Sequence, residues 1–214
     1  MADRISAKNS DSKFRPHPEG QFVAQCVDVI DLGEKVEDYL GQPKKLSHKC
    51  ALVFRTGEQN PETNDLIDIA GEYTVSMSEK ANLRRILETW RGKAYSEDEL
   101  EEVPLEKLEG NWAMIQVDQK TSSNNRKYAR IISVTPVPKQ MRGHLPAFAA
   151  YERAKYWEEK KAAYAKETEL FMAMIAPTDS GKRVASPFPA AEDLPDDAFR
   201  AEDDTEDDLP FDIG

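Results

Sequence analysis

The segment SMSEKANLRRILETWRG, residues 76–92, decides the fold class, because it is the clearest helix pattern in the chain and strand patterns flank it on both sides. Four apolar residues recur at the spacing of one helix face: Leu83, Ile86, Leu87 and Trp90. Ser76 and Glu79 have the spacing of a capping box, and Gly92 is suited to end the helix. We therefore predict one helix over residues 76–92 that packs its apolar face on the sheet.

Three strand patterns precede this helix and two follow it. They are QFVAQCVDVIDL (21–32), SHKCALVFRT (47–56), LIDIAGEYTVSM (66–77), NWAMIQVDQ (111–119) and RKYARIISVTPV (126–137). The order β-β-β-α-β-β is typical of a five-stranded Greek-key OB barrel. An SH3-like barrel would lack the long helix at that point, and a βαβ fold would alternate strands and helices throughout. We therefore predict a mainly β protein with a five-stranded OB-fold barrel and a helix between strands 3 and 4.

Composition divides the chain into four parts. Residues 1–20 are polar and predict a flexible N-terminal arm, and residues 21–138 form the predicted OB-fold domain. Residues 139–176 predict a helical extension, with Pro146 suited to the first turn of a helix over 146–175. Its large apolar residues do not make one clean stripe: Phe148, Tyr151, Trp157, Tyr164 and Phe171. Residues 177–214 are rich in Pro, Ser, Ala and acidic residues and predict a disordered acidic tail.

Charge is distributed very unevenly along the chain. The formal net charge is −11, and residues 184–214 hold eleven acidic residues against one basic residue, Arg200. The body of the protein is therefore close to neutral. Such asymmetry indicates an interaction tail.

Residues 119–142 reverse this trend, because they contain basic residues and no acidic residue: Lys120, Arg126, Lys127, Arg130, Lys139 and Arg142. They span the loop between the last two predicted strands, which flanks the ligand groove of an OB barrel. Cations that follow phosphates and aromatic rings that stack on bases are what a single strand requires.

Strand alternation selects the candidate side chains. If Ala113, Ile115, Val117, Ala129 and Ile131 face inward, then Trp112, Tyr128 and Arg130 face outward, as do Lys49 and Arg55 of the second strand. The predicted nucleic-acid-binding residues are Lys49, Arg55, Trp112, Lys120, Arg126, Lys127, Tyr128 and Arg130. Phe22 is a further aromatic candidate, but the alternation of its strand does not decide which face it points to. The alternative interpretation of residues 119–142 is an ordinary solvated edge of the sheet.

No residue pattern predicts catalysis. Cys26 and Cys50 are expected to be small core residues of neighbouring strands, and His17, His48 and His144 lack metal-ligand spacing. We expect no nucleophile–base set, no metal and no cofactor. The polar N-terminus and the absence of a run of about 18 apolar residues predict a cytoplasmic protein without membrane contact.

The acidic C-terminus with DDLPF (207–211) resembles the tip of bacterial single-stranded DNA-binding proteins. In addition, PEGQFVAQCVDVIDLG (18–33), SEKANLRRILETWRGKAYSEDEL (78–100) and KYARIISVTPVPK (127–139) resemble a phage family of OB-fold single-stranded DNA-binding proteins. The bacterial tails end on their Phe, whereas Asp212-Ile213-Gly214 follow here, so a partner has to accept an internal Phe or a different end.

The resemblance implies a sequence-independent, non-catalytic single-stranded DNA-binding protein of phage DNA replication or recombination, located in the host cytoplasm. It also implies that replication or recombination proteins bind the tail at Asp207, Asp208, Leu209, Pro210 and Phe211. The Phe would enter an apolar pocket while the acids meet a basic rim, and burying that ring contributes roughly 1.5–3 kcal/mol. An OB-fold protein–protein adaptor of the same complexes is the alternative, and an enzyme acting on DNA ends is a third, weaker hypothesis.

Overall fold

The computed structural model describes residues 15–39, 42–148 and 150–175. It contains a five-stranded antiparallel sheet in the order β3-β2-β1-β4-β5, with β3 and β5 at its two edges. The strands are β1 (Gly20–Tyr39), β2 (Gln42–Gln59), β3 (Leu66–Thr74), β4 (Trp112–Thr121) and β5 (Lys127–Thr135). The helices are α1 (Asn82–Arg91), α2 (Glu97–Leu100) and α3 (Lys155–Ile175), with short 3₁₀ helices at Leu105–Leu108 and Lys139–His144. The predicted mainly β class and C-terminal helix are confirmed.

The inner face of the sheet packs against α1 in one core. Its fully buried strand residues include Leu52, Phe54 and Ile115, and α1 adds Leu83, Ile86, Leu87 and Trp90. Cys26 on β1 and Cys50 on β2 are buried here as free thiols, which confirms the prediction that they are core residues. Burial raises the pKa of each thiol to about 12.

Helix α1 begins later than predicted. Asn82 is its first residue, and Ala81 at the N-cap gives no side-chain cap. The predicted capping box of Ser76 and Glu79 is wrong, because Ser76 Oγ accepts the N–H of Ser78 in a preceding turn. Ser96 and Glu99 form a capping box instead, at the start of α2. The predicted end is confirmed: Gly92 has φ 74° and donates its N–H to the carbonyl of Glu88.

Helix α3 packs on the outer face of the sheet, opposite the inner core. A second apolar cluster joins strand residues to the helix: Ile30, Leu32, Ala51, Val53, Trp157 and Tyr164. Within the helix the buried positions are Trp157, Lys160, Tyr164 and Phe171. The helix starts at residue 155 and not at 146, since residues 145–148 and 150–154 have no helical structure. Phe148 of this segment contacts Trp112 of β4, and Tyr151 lies over Arg55 of β2.

Lys160 lies within the buried face of α3 and forms an ion pair with Glu72 of β3. The Tyr164 hydroxyl also donates to Glu72, at 3.2 Å. The lysine and the carboxylate are 5% and 8% exposed, so each compensates the other's loss of hydration. A lysine in the middle of the buried stripe also explains why the helix has no clean apolar pattern.

The folded chain includes residues that were predicted to be part of a flexible arm. His17 is buried, with its Nε2 atom 2.7 Å from Thr56 Oγ1 and its ring edge-to-face with Phe22. The amide of Gln119 donates to the His17 carbonyl at 2.9 Å. These contacts attach residues 15–19 to β2 and β4. The predicted arm therefore extends too far, and its residues 1–14 lie outside the described part of the chain.

We predict that His17 makes stability depend on pH. Burial lowers its pKa below the ordinary 6.5, although its hydrogen bond to the Pro18 carbonyl and the charges of Glu58 and Asp68 oppose this shift. The unfolded chain therefore takes up the proton first, and His17 should contribute its full stabilisation above about pH 6.5 and lose it as the pH falls.

Urea unfolding between about pH 5 and pH 8 measures this effect. The variant His17→Gln should have a smaller decrease in unfolding free energy at acid pH than the wild type, whereas the exposed control His144→Gln should match the wild type. An equal pH dependence in all three proteins would contradict the assignment.

Candidate nucleic-acid interface

The outer faces of β4 and β5 form a strip that α3 does not cover, here called the open strip. On β4, Ala113, Ile115 and Val117 are fully buried, so the alternating Trp112, Met114, Gln116, Asp118 and Lys120 point outward. On β5, Ala129 and Ile131 pack on the inner core, which turns Tyr128 and Arg130 outward. The predicted alternation of both strands is confirmed.

One end of the open strip is cationic. In the β4–β5 register, Lys120 lies opposite Tyr128, Asp118 opposite Arg130, and Thr121 opposite Lys127. The connecting turn is tight: Ser122 donates its N–H to the Arg126 carbonyl, and Asn125 has φ 60°. The structure thus brings five predicted residues together at this end, here called the basic hairpin: Lys120, Arg126, Lys127, Tyr128 and Arg130.

The electrostatics of the basic hairpin favour an anion. Arg126, Lys127 and Arg130 are exposed, and Lys120 is half-buried. Asp118 is the acidic residue on this part of the strip, and its carboxylate is 4.0 Å from the Arg130 guanidinium, which is a long ion pair. Charges in such positions remain available to a phosphate backbone.

Trp112 occupies the other end of the open strip. Its carbonyl accepts a hydrogen bond from Trp90 Nε1 at 3.0 Å, which anchors the start of β4 to α1. Lys120, the neighbour of Tyr128, lies eight positions after Trp112, which corresponds to roughly 27 Å along a strand. Trp112 and Tyr128 therefore share one face, as predicted, but they do not lie side by side.

Phe148 covers part of Trp112. The two rings have centroids 5.4 Å apart and planes 31° apart, which is a tilted ring contact. Phe148 also lies against Gly57 of β2, where a Cβ atom would come within 3.0 Å of the ring. Sequence reasoning placed Phe148 in a helix and missed this contact, because the path of the chain before α3 depends on packing.

Ile132 is a second residue of the open strip that sequence reasoning did not select. It is 47% exposed, because the register shifts between Val117–Ile131 and Gln116–Ser133 and leaves Ile132 as the extra residue of a bulge. The available signal was the doublet Ile131–Ile132, since two consecutive isoleucines in a strand cannot both face the core.

Arg55 is not the exposed cation that was predicted. It lies on the outer face of β2 as expected, but it is only 7% exposed and makes two 2.8 Å hydrogen bonds to the Asp68 carboxylate. These bonds raise the pKa of Arg55 further. Tyr151 lies over its guanidinium, with the ring centroid 5.3 Å away. The segment that leads into α3 covers this position, and the pattern of β2 could not show that cover.

Lys49 is also paired within the fold. Its ammonium is 2.6 Å from Glu37 and donates to Thr74 Oγ1 at 3.0 Å. Phe22, the additional aromatic candidate, faces inward and packs on the inner core. Both residues are thus separated from the basic hairpin.

The predicted tail residues Asp207, Asp208, Leu209, Pro210 and Phe211 lie outside the described residues.

Two further features concern chemistry and membranes. Within the described ranges, no group of three or more His, Cys, Asp or Glu side chains is arranged to hold a metal ion. Among the helices that the structure describes, none is long and apolar enough to cross a bilayer.

No protein-family model matches the chain, and no curated protein matches it.

We predict that Arg55 stabilises the fold and that Arg130 does not. Replacing Arg55 with Ala leaves the partly buried Asp68 without its partner, which should lower the free energy of unfolding by about 1–3 kcal/mol. Arg130→Ala removes an exposed side chain and should change it by no more than about 0.5 kcal/mol. Chemical denaturation of both variants checks this, and equal losses would contradict the different roles assigned to the two arginines.

Proposed function

We propose that the sheet is an OB-type barrel that is partly open between β3 and β5. Three observations support this proposal. Joining β3 to β5 would close the sheet in the order β1-β2-β3-β5-β4. Cα atoms of β3 and β5 come within 8 Å of each other, and α1 contacts both strands. One core fills the inner face of all five strands. A five-stranded, partly open Greek-key barrel is the OB architecture.

We propose further that the protein binds single-stranded DNA without sequence preference and without catalysis. The observation that carries this proposal is the basic hairpin, in a chain of net charge −11. Lys120, Tyr128 and Arg130 point outward there, and Arg126 and Lys127 are exposed at the adjoining turn. Cations neutralise phosphates and release counterions, while an aromatic ring stacks on any base. Neither interaction requires a particular base sequence.

Single strands fit this surface better than duplexes. Tyr128 and the half-buried Trp112 offer flat rings, and Met114 and Ile132 offer apolar contact between them. Such groups gain from bases whose faces are uncovered, and a duplex hides those faces in its stack. The surface therefore favours unpaired bases.

From the resemblance of the sequence, we propose that this activity serves phage DNA replication or recombination, in the host cytoplasm. In that role the protein would coat exposed strands and recruit replication or recombination proteins through residues 207–211. The chain would need no cofactor, since coating a strand involves no bond making or breaking.

Binding should be strong at low salt and weaken steeply as salt is added. If Lys120, Arg126, Lys127 and Arg130 each neutralise one phosphate, log K should fall with log salt at a slope of about −3. The double variant Arg126→Glu/Lys127→Glu should bind more weakly and lose about 1.4 from that slope. Fluorescence anisotropy of a labelled oligo-dT at several salt concentrations measures both quantities.

A matched control has the same change of charge elsewhere. Lys155 and Lys166 are exposed on α3, so Lys155→Glu/Lys166→Glu changes the net charge equally but leaves the basic hairpin intact. Its salt slope should remain that of the wild type. Absence of binding by the wild type at low salt would rule out the proposed activity, and equal effects of both double variants would rule out the basic hairpin as its site.

The second candidate function is that of an OB-fold adaptor that binds proteins of a replication or recombination complex. It is favoured by the exposed apolar residues at the end of α3: Leu170, Met172, Met174 and Ile175. An adaptor would keep its function when Arg126 and Lys127 are reversed in charge and would lose it when Phe211 is replaced. A DNA-binding protein, in contrast, would lose its function when the charges of Arg126 and Lys127 are reversed.

The acidic tail should compete with DNA for the basic hairpin. Removing residues 201–214 should therefore keep or raise affinity for oligo-dT, most clearly at low salt, because the tail's carboxylates would no longer compete with phosphates for these cations. The control Phe211→Ala keeps every charge and should leave DNA affinity unchanged. Anisotropy titration of the three proteins checks this, and weaker binding after truncation would contradict competition.

A further inference from the structure

The outer face of β1–β3 is closed to a single strand. Trp157 and Tyr164 of α3 pack on Ile30, Ala51 and Val53, which are at most 2% exposed. Arg153 makes a bidentate ion pair with Asp28 at 2.6–2.8 Å, next to this cluster. Opening this face would expose apolar side chains and leave the buried Asp28 without its cation. A strand that binds the protein as it is folded has to take another path.

The open strip carries groups that can contact a single strand along the length of β4 and β5. Its basic hairpin holds cations and Tyr128. Its middle holds the polar pair Gln116 and Ser133, with Met114 on one side of it and Ile132 raised by the bulge on the other. At the far end the Phe148 ring packs against the Trp112 ring.

The far end carries basic residues as well. The chain leaves β5 at Thr135, opposite Met114, passes through the 3₁₀ helix Lys139–His144, and returns to Trp112 at Phe148. Lys139 and Arg142 are exposed on this excursion. The acid-free segment 119–142 therefore carries exposed cations at the basic hairpin and again on the excursion that links β5 to Phe148. Cations along the chain that borders the open strip favour a phosphate backbone.

We propose that a bound single strand runs lengthwise along β4–β5, and that Phe148 and Ile132 contact its bases together with Trp112. This proposal rests on the proposed DNA-binding function and adds a path and two residues to it. The strip between Tyr128 and Trp112 spans roughly 27 Å. A strand stacked as in a duplex would cover it with about eight nucleotides at 3.4 Å each, and an extended strand with fewer.

Tryptophan fluorescence can report on the far end alone. Of the three tryptophans, Trp90 and Trp157 are 7% and 2% exposed, whereas Trp112 is half-buried. A base that stacks at the far end should therefore quench mainly Trp112. In titrations with oligo-dT of roughly 4 to 16 nucleotides, quenching should grow with length until the strip is covered, and Trp112→Phe should abolish it.

Four variants separate the effect of the flat Phe148 ring from the effects of its volume and of exposed apolar area elsewhere. Phe148→Tyr keeps the ring and should bind long oligo-dT like the wild type. Phe148→Leu keeps apolar volume without a flat face and should bind it about fivefold or more weakly, at an unchanged salt slope. Ile132→Ala should weaken binding severalfold, whereas Leu170→Ala on α3, which removes exposed apolar area elsewhere, should have no effect. Thermal unfolding of each variant excludes losses caused by misfolding.

The outcomes distinguish this path from the function itself. Length-dependent quenching together with the loss in Phe148→Leu supports the path. Normal, salt-sensitive binding without quenching, and without loss in Phe148→Leu or Ile132→Ala, overturns the path and leaves the proposed function standing. Tighter binding by Phe148→Leu also overturns it, because Phe148 would then be an obstacle at the site. Absence of any binding to oligo-dT removes the proposed function itself.

Discussion

Burial of β1 and β2 on both faces is the constraint on which the rest of the structure depends. Phe54 and Leu52 fill the inner core, while Ala51 and Val53, their neighbours in the same strand, lie under Trp157 of α3. A strand with apolar residues on both faces needs cover on both sides. Helix α3 supplies the outer cover. The ion pair of Lys160 with Glu72 ties the helix to β3, and that of Arg153 with Asp28 ties the segment before the helix to β1.

This constraint also determines where a ligand can bind. The polar groups of β2 that alternation directs outward, Lys49 and Arg55, are used to bind other parts of the same chain. Cover by α3 stops short of β4 and β5, so their outer faces keep cations, aromatic rings and apolar side chains in contact with solvent. The candidate interface is thus the part of the sheet that the C-terminal helix leaves open.

Local patterns were sufficient to predict most of the sheet from the sequence. Alternation correctly assigned the inward and outward residues of β2, β4 and β5, and the spacing of Leu83 to Trp90 identified α1 and its buried face. The start of α1 was not predictable in the same way, because the Ser76 side chain accepts the Ser78 N–H in a turn and does not cap the helix. Helix α3 was located only approximately, since Lys160 interrupts its stripe and its partner, Glu72, is 88 residues away in sequence.

The candidate site was predictable to the extent that it is local. Five residues of the basic hairpin come from two adjacent strands and one turn, so alternation and charge were enough to bring them together. The burial of Arg55 and the contact of Phe148 with Trp112 depend on where Tyr151 and Phe148, in the segment before α3, pack on the sheet. Long-range packing of this kind leaves no periodic trace in a single sequence.

The two buried thiols can report local unfolding of the sheet, because they react only when they are exposed to solvent. Cys26 and Cys50 lie on the two strands that are covered on both sides, and their pKa values of about 12 leave almost no thiolate at neutral pH. A maleimide or iodoacetamide in solution can therefore modify them only after the strands separate from their cover. The rate of alkylation, followed by mass spectrometry, would report how often the native molecule opens and whether a bound ligand holds it shut.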